Sequence, residues 1–241
     1  PAFIISNEQR NKLIAEDHNN SKIIKNMLQG RNIRKWYYNE SEENLIFTRR
    51  GTDIEKFPFI KKHLYGFYDN LKPKTPEDST KGRKPGNYKW FEILDNTAYY
   101  REFEKSEKII WGLTADKWAY TLDTEQHYLP SNAYILTSET IPIRFILGLL
   151  NSKLLRYYFG FIGVMTAGGA YTLKASTIEA LPIAIGTKQQ QKEIALKVEN
   201  ILNAKATNKQ TDVSSSEHEI DCLVYNLYGL SENEIKIVEG V

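Results

Sequence analysis

The stretch from residue 143 to residue 182 constrains this chain more than any other. It reads Ile143-Arg-Phe-Ile-Leu-Gly-Leu-Leu-Asn-Ser-Lys-Leu-Leu-Arg-Tyr-Tyr-Phe159, passes a glycine-bearing turn, continues as Tyr171-Thr-Leu-Lys, and closes on Ile178-Glu-Ala-Leu-Pro182. Phe145, Ile146, Leu149, Leu150, Leu154, Tyr157 and Tyr158 recur at spacings of three and four, the period of a helix that buries a broad face. Such a helix needs a sheet to lie on. Between residues 160 and 170, Gly163, Gly168 and Gly169 mark a hinge where the backbone takes positive φ or approaches something closely, and Tyr171 to Lys174 is the expected return strand.

The strands for that sheet stand just upstream. Residues 108–112, 118–122 and 132–136 are apolar runs separated by turn residues, and sequential strands at such short spacing pair antiparallel. Residues 88–94 read as a further strand and 99–107 as a short helix. One helix is expected from about Pro142, with Asn151, Ser152 and Lys153 interrupting its apolar face; these three are either satisfied in the core or form a phosphate-binding edge.

Near the N-terminus, residues 2–6 read as a strand and Ser6 or Asn7 as the cap of a helix to Glu16. Ser21 is expected to cap a short helix through Leu28, closed by Gly30. Residues 57–65 read as a helix with Pro58 in its first turn and Phe59, Ile60 and Leu64 inward. Past Pro182, Thr187 and Gln190 form a capping box that opens a helix to about Lys205. A polar break precedes a helix from Ser216 or Glu217 to Tyr228, which Gly229 ends, and Ser231 caps a last one. The whole is an α+β fold, a mostly antiparallel twisted sheet covered by helices over residues 1–185, followed by a C-terminal helical subdomain over 186–241.

Charge is unevenly placed. Of the 32 Lys and Arg, 16 fall between Lys22 and Trp90, against 8 of the 30 Asp and Glu, so a formal net charge of +2 conceals a basic third and an acidic remainder. A basic region is what counterion release from a phosphate backbone requires. Within it, Arg31 and Arg34 stand beside Trp36, Tyr37 and Tyr38; in a strand Arg34 and Trp36 would share one face. Guanidinium groups suit phosphates and guanine edges, and aromatics supply stacking surface; an amphipathic strand with Trp36 in the core accounts for the pattern equally well. Arg49 and Arg50 sit at a strand end before Gly51, and residues 73–86, with Arg83 and Lys84, lack any large apolar residue and read as a surface loop that orders against DNA.

The single cysteine, Cys222, excludes an internal disulfide and a Cys-rich metal site, fits a reducing cytoplasm, and lies on an apolar helix face where a buried, inert thiol is expected. No apolar run reaches the length of a membrane span, and the first residues lack the features of a signal peptide.

The string Leu149-Leu150-Asn151-Ser152-Lys153-Leu154, the Gly-Gly-x-Tyr at 168–171 and Leu181-Pro182-Ile183 resemble the TaqI-like C-terminal specificity domain. Gly30-Arg31-Asn32-Ile33, Tyr88-Lys89-Trp90-Phe91-Glu92, Lys108-Ile109-Ile110-Trp111, the helix opening at 189–191 and Tyr225 to Ser231 extend the ordered set over nearly the whole chain. The resemblance implies a target-recognition domain of type IIG restriction-modification enzymes and related adenine methylases. It implies double-stranded DNA and an N-terminal methyltransferase domain as partners, with S-adenosylmethionine bound in that domain rather than here. Arg31, Arg34, Arg49, Arg50, Arg83 and Lys84 are then candidates for phosphate or guanine contact, and Tyr88, Trp90 and Tyr171 for base-facing or stacking groups.

Catalytic signals are absent from the sequence. There is no glycine-bearing cofactor loop, no Asn-Pro-Pro-Tyr-like tetrapeptide, no phosphate loop and no ligand spacing among the four histidines. Glu234-Ile-Lys236 with Asp221 upstream echoes a nuclease motif, but its alternation is that of an amphipathic helix. The rival readings are a protein-docking module with no direct DNA contact, and a nuclease or methylase in its own right.

Overall fold

A computed structural model describes residues 2–75, 80–94, 98–115, 117–165 and 168–241. In chain order its elements are β1 (Ile4–Ser6), α1 (Asn7–Glu16), β2 (Ile24–Asn26), β3 (Ile33–Arg34), β4 (Tyr37–Tyr38), β5 (Glu43–Ile46), α2 (Pro58–Tyr65), α3 (Tyr68–Leu71), β6 (Lys108–Gly112), β7 (Thr114–Ala115), β8 (Thr121–Asp123), β9 (Ala133–Leu136), α4 (Ile143–Asn151), α5 (Lys153–Ile162), β10 (Val164–Met165), β11 (Tyr171–Thr172), α6 (Ala175–Ile178), α7 (Lys188–Thr207), α8 (Ser214–Tyr228) and α9 (Glu232–Glu239). Contacts gather these into two compact units, Pro1–Leu28 with Ser41–Arg101, and Gln29–Glu40 with Glu102–Val241. The helices after residue 186 pack inside the second unit: Ile194, Val198, Ile201, Ile220 and Val224 share one core with Phe145, Leu149 and Trp118.

In the first unit, β5 is the centre of an antiparallel sheet ordered β1-β5-β2, with Ile4 opposite Leu45 and Ile24 opposite Ile46. Ile5, Leu13, Ile46, Phe57, Ile60, Leu64 and Phe91 fill its core, whereas Phe59 of the expected buried stripe is exposed. Ser6 and Gln9 close the capping box that starts α1. Residues 21–28 are not the expected helix. Asp17 captures the amide of Asn19 at 2.9 Å, Asn20 Nδ2 donates to Leu13 O at 2.7 Å, and these local bonds turn the chain through a 3-10 turn, His18–Lys22, into β2. Residues 88–94 likewise do not form a strand. The buried Glu92 carboxylate accepts from the amides of Lys89 at 2.8 Å and Gly51 at 3.3 Å, which curls the segment into a turn.

In the second unit, β6 is wholly buried between β8 and β9, with Lys108 opposite Asp123 and Ile110 opposite Ile135. A small sheet ordered β10-β11-β7 and the hairpin β3–β4 complete its described strands. Residues 30–38 are therefore a hairpin, not one strand. Lys35 and Trp36 form its turn, where Trp36 takes φ 72°, conformation a bulky residue adopts only when packing enforces it. Packing does: Trp36 is 3% exposed and its amide donates to Tyr120 O at 3.1 Å. Gly30 is not a helix cap but a point of close approach, since a Cβ there would meet Gly112 Cα at 3.2 Å and Asn132 O at 3.1 Å.

The helix expected from Pro142 is two helices. Asn151, buried at the end of α4, accepts from Tyr120 N at 3.1 Å and donates to Tyr120 O at 2.9 Å. Ser152 follows in an extended conformation and caps α5 by accepting from Leu155 N at 3.3 Å. Every residue of α4 except Arg144 is buried, and α4 crosses α7 closely enough that a Cβ on Gly148 would meet Ile194 Cγ2 at 2.7 Å. The capping box at Thr187, the Ser231 cap and the glycine stop at Gly229 stand as expected, and Glu234 completes a second capping box with Ser231. Cys222 does not: it is exposed, with its Sγ 3.6 Å from His218 Nε2.

Beneath β6 lies a buried charge cluster. Lys108 Nζ sits 2.5 Å from Asp123 Oδ2 and donates to Phe103 O at 2.9 Å, while His127 contacts Asp123 through its ring Nδ1 and its amide, each at 2.9 Å. Burial pushes the Asp123 carboxyl up, but the hydrogen bonds and charges of His127 and Lys108 outweigh it and hold the group below the usual carboxylate range. A depressed folded value stabilises the fold above the unfolded pKa of about 3.9 and ceases to do so as pH falls through the folded value.

Two outcomes follow from this packing. Asp123→Asn leaves Lys108 buried without its counter-charge and is expected to cost about 3 to 5 kcal/mol in urea unfolding at pH 7, with a flatter acid limb below about pH 4 than the parent chain. Gly148→Val forces α4 and α7 apart and is expected to cost about 1 to 3 kcal/mol or more in the same measurement.

Candidate nucleic-acid interface

The second unit carries a groove of about 780 Å³. Six cations line it: Arg31, Arg34 and Lys35 from the hairpin segment, Lys117 from the approach to β8, and Lys153 and Arg156 from α5. Its floor is made by Gly30 and Gly112, Thr114, Trp118, Ala119, Asn151 and Ser152, and no carboxylate lines it among the described residues. Arg31, Arg34, Lys117, Lys153 and Arg156 are all exposed.

Local structure explains each position. The short hairpin keeps Arg34 beside Arg31, whose carbonyl accepts from Arg34 Nη1 at 2.7 Å, with Ile33 O at 2.8 Å from the same nitrogen. The Ser152 cap redirects the chain so that Lys153 and Arg156, three apart on α5, present one face. Arg156 Nε donates to the Tyr171 hydroxyl at 3.1 Å, and Tyr171 packs edge-on to buried Trp118 with ring centroids 5.8 Å apart. Gly30 and Gly112, too close for side chains, let the hairpin segment lie against β6.

Of the candidates drawn from sequence, Arg31, Arg34 and Tyr171 belong to this unit, and Arg49, Arg50, Arg83, Lys84, Tyr88 and Trp90 to the first. There Arg49 lies 4.0 Å over the Tyr100 ring, and Arg50 donates to Ile93 O at 2.8 Å and stands 3.6 Å from the Glu92 carboxylate. Arg83 donates to Leu71 O at 2.7 Å, Glu92 O at 2.8 Å and Trp90 O at 3.0 Å, with the Tyr88 ring 4.4 Å from its guanidinium. Trp90 packs against Tyr65, Tyr68 and Phe91, the Tyr88 hydroxyl donates to Lys84 O, and Lys84 itself is exposed. Lys35, Lys117, Lys153 and Arg156 were not among those candidates. The polar break Asn151 to Lys153 in an apolar helix pattern was the signal for the last two; Lys117 had none.

Among the described residues no group of three or more His, Cys, Asp and Glu could hold a metal ion, and no helix is long and apolar enough to cross a membrane. Glu234 spends its carboxylate on the Ser231 cap, and Asp221 accepts from the amide of Lys153 at 2.8 Å.

The sequence profile of the TaqI-like C-terminal specificity domain matches residues 25–183, and the chain belongs to that family. Among solved structures, the type IIL restriction-modification enzyme MmeI, determined in complex with DNA, matches at 15% identity with a TM-score of 0.66, over 95% of this chain and 31% of that one. The type IIG restriction endonuclease BpuSI matches at 12% identity with a TM-score of 0.46, over 89% of this chain and 27% of that one. The chain thus spans about a third or less of these enzymes. No curated protein matches it.

Arg83 ties four carbonyls of the first unit together through its planar fork, those of Leu71, Lys89, Trp90 and Glu92. Arg83→Ala is expected to lower stability by about 2 to 3 kcal/mol in thermal unfolding, and Arg83→Lys, without the fork, to recover only part of that loss.

Proposed function

We propose that this chain is the DNA target-recognition part of a restriction-modification enzyme. It binds duplex DNA and orients it for a separate adenine methyltransferase part, where S-adenosylmethionine is bound and the target base is flipped. The observation that carries the reading is the groove with six cations and no carboxylate among its described lining residues. Arginine and lysine at that density suit a phosphate backbone, which positions a duplex, while sequence is read by groups reaching base edges. Arg31 and Arg34 carry guanidinium groups, the chemistry that suits guanine edges and phosphates, and Tyr171 offers a ring beside Arg156. The family assignment supports the reading, as does the fold shared with an enzyme whose structure was solved on DNA.

The first-unit cations Arg49, Arg50 and Lys84 extend the proposal to a second contact region. Arg83, with its donors already on backbone carbonyls, serves that region by holding it in shape.

Fluorescence anisotropy against duplex DNA over a salt series tests the assignment. Lys117→Ala with Arg156→Ala is expected to flatten the dependence of log affinity on log salt by about 1.8, two contacts at about 0.9 each, without changing thermal stability. Unchanged affinity and slope in that double variant would place the DNA elsewhere.

A further inference from the structure

Two of the six groove cations are lysines held by carboxylates. Lys35 Nζ lies 2.7 Å from Glu217 Oε1, and Lys153 Nζ is paired with Glu239 Oε2. Both carboxylates come from α8 and α9, beyond the residues 25–183 that match the family profile. Neither is a loose surface acid. Trp36 Nε1 donates to Glu217 at 2.5 Å and the Tyr225 hydroxyl donates to Glu239 Oε1 at 2.7 Å, and the two carboxylate side chains are only 27% and 20% exposed.

We propose that Glu217 and Glu239 are built-in competitors for the groove's lysines, and that they set how strongly the groove grips DNA regardless of sequence. The inference deepens the DNA-binding reading above and rests on it. A phosphate that takes Lys35 or Lys153 displaces a carboxylate already in place, so the net ionic gain of that contact is small. Each carboxylate keeps a neutral donor when its lysine leaves, Trp36 Nε1 for one and the Tyr225 hydroxyl for the other, so the exchange strands no unpaired acid. Sequence-independent attraction then rests on the other groove cations, and the two lysines add only their exchange. Base-edge contacts, which random DNA lacks, then decide between target and non-target, because charge alone has been partly cancelled.

The physical consequence is an altered counterion count. In the parent chain a lysine that moves to phosphate releases a cation from DNA, while the carboxylate it leaves takes one up. With glutamine in place of glutamate the uptake disappears.

The test uses the full chain in four variants: Glu217→Gln, Glu239→Gln, the two together, and Glu193→Gln, an α7 acid that accepts from Gln189 Nε2 at 2.7 Å rather than from a groove lysine and makes the same change in net charge. Each is read by elution salt from immobilised heparin and by anisotropy on a random-sequence duplex. Expected are later elution, non-specific affinity raised about two- to fivefold per carboxylate, and a salt slope steeper by about 0.9 per freed lysine. Glu193→Gln is expected to show none of the change in slope. If the groove variants elute with Glu193→Gln, the competitor idea is overturned. A chain that shows the heparin shift but ignores duplex DNA overturns the DNA reading instead.

Discussion

The second unit depends on one side-chain amide. Asn151 pairs with both the N–H and the C=O of Tyr120, so a buried loop residue is satisfied as though a strand lay beside it. That bond anchors the segment before β8 and brings Trp118 under α4, where its indole donates to Leu150 O. It also holds the end of α4 in place while Ser152 turns the chain into α5. Without the turn, Lys153 and Arg156 would continue the buried helix; with it, they reach the groove.

Charge is used in two opposite ways in this unit. Beneath β6, Lys108, Asp123 and His127 are sealed from water and matched to one another, a cluster that holds the fold together. At the groove, six cations are gathered, five of them exposed, and the two carboxylates that pair with Lys35 and Lys153 stand outside its lining. The contrast between satisfied buried charge and gathered exposed charge is what separates scaffold from interface here. The same distinction in the first unit sets Arg83, spent on carbonyls, apart from Lys84, which is exposed.

Much of the architecture was legible in the residues. The capping box of Thr187 with Gln190 and the cap residues Ser6 and Ser231 announced three helix starts, since a cap needs only groups within three positions. Strands β6 and β9 and the buried face of α4 followed from apolar period. Where local period met a distant partner it failed. Residues 21–28 lost a helix to side chains that capture backbone groups, 88–94 lost a strand to the Glu92 carboxylate, and Trp36 reversed a strand because Tyr120 holds its amide.

The candidate site divides along the same line. Sequence alone determined that the chain is basic in one third, that it builds an α+β fold, and that Arg31 and Tyr171 lie in the quoted family motifs, with Arg34 next to one of them. Only the tertiary structure decided which cations share a groove. Lys117, Lys153 and Arg156 come from segments far apart in sequence from Arg31, and no spacing rule joins them. Helix caps and apolar faces are set by neighbours within a turn or two and are written locally, whereas a charged groove is a surface assembled by long-range packing and exists only once the core beneath it has formed.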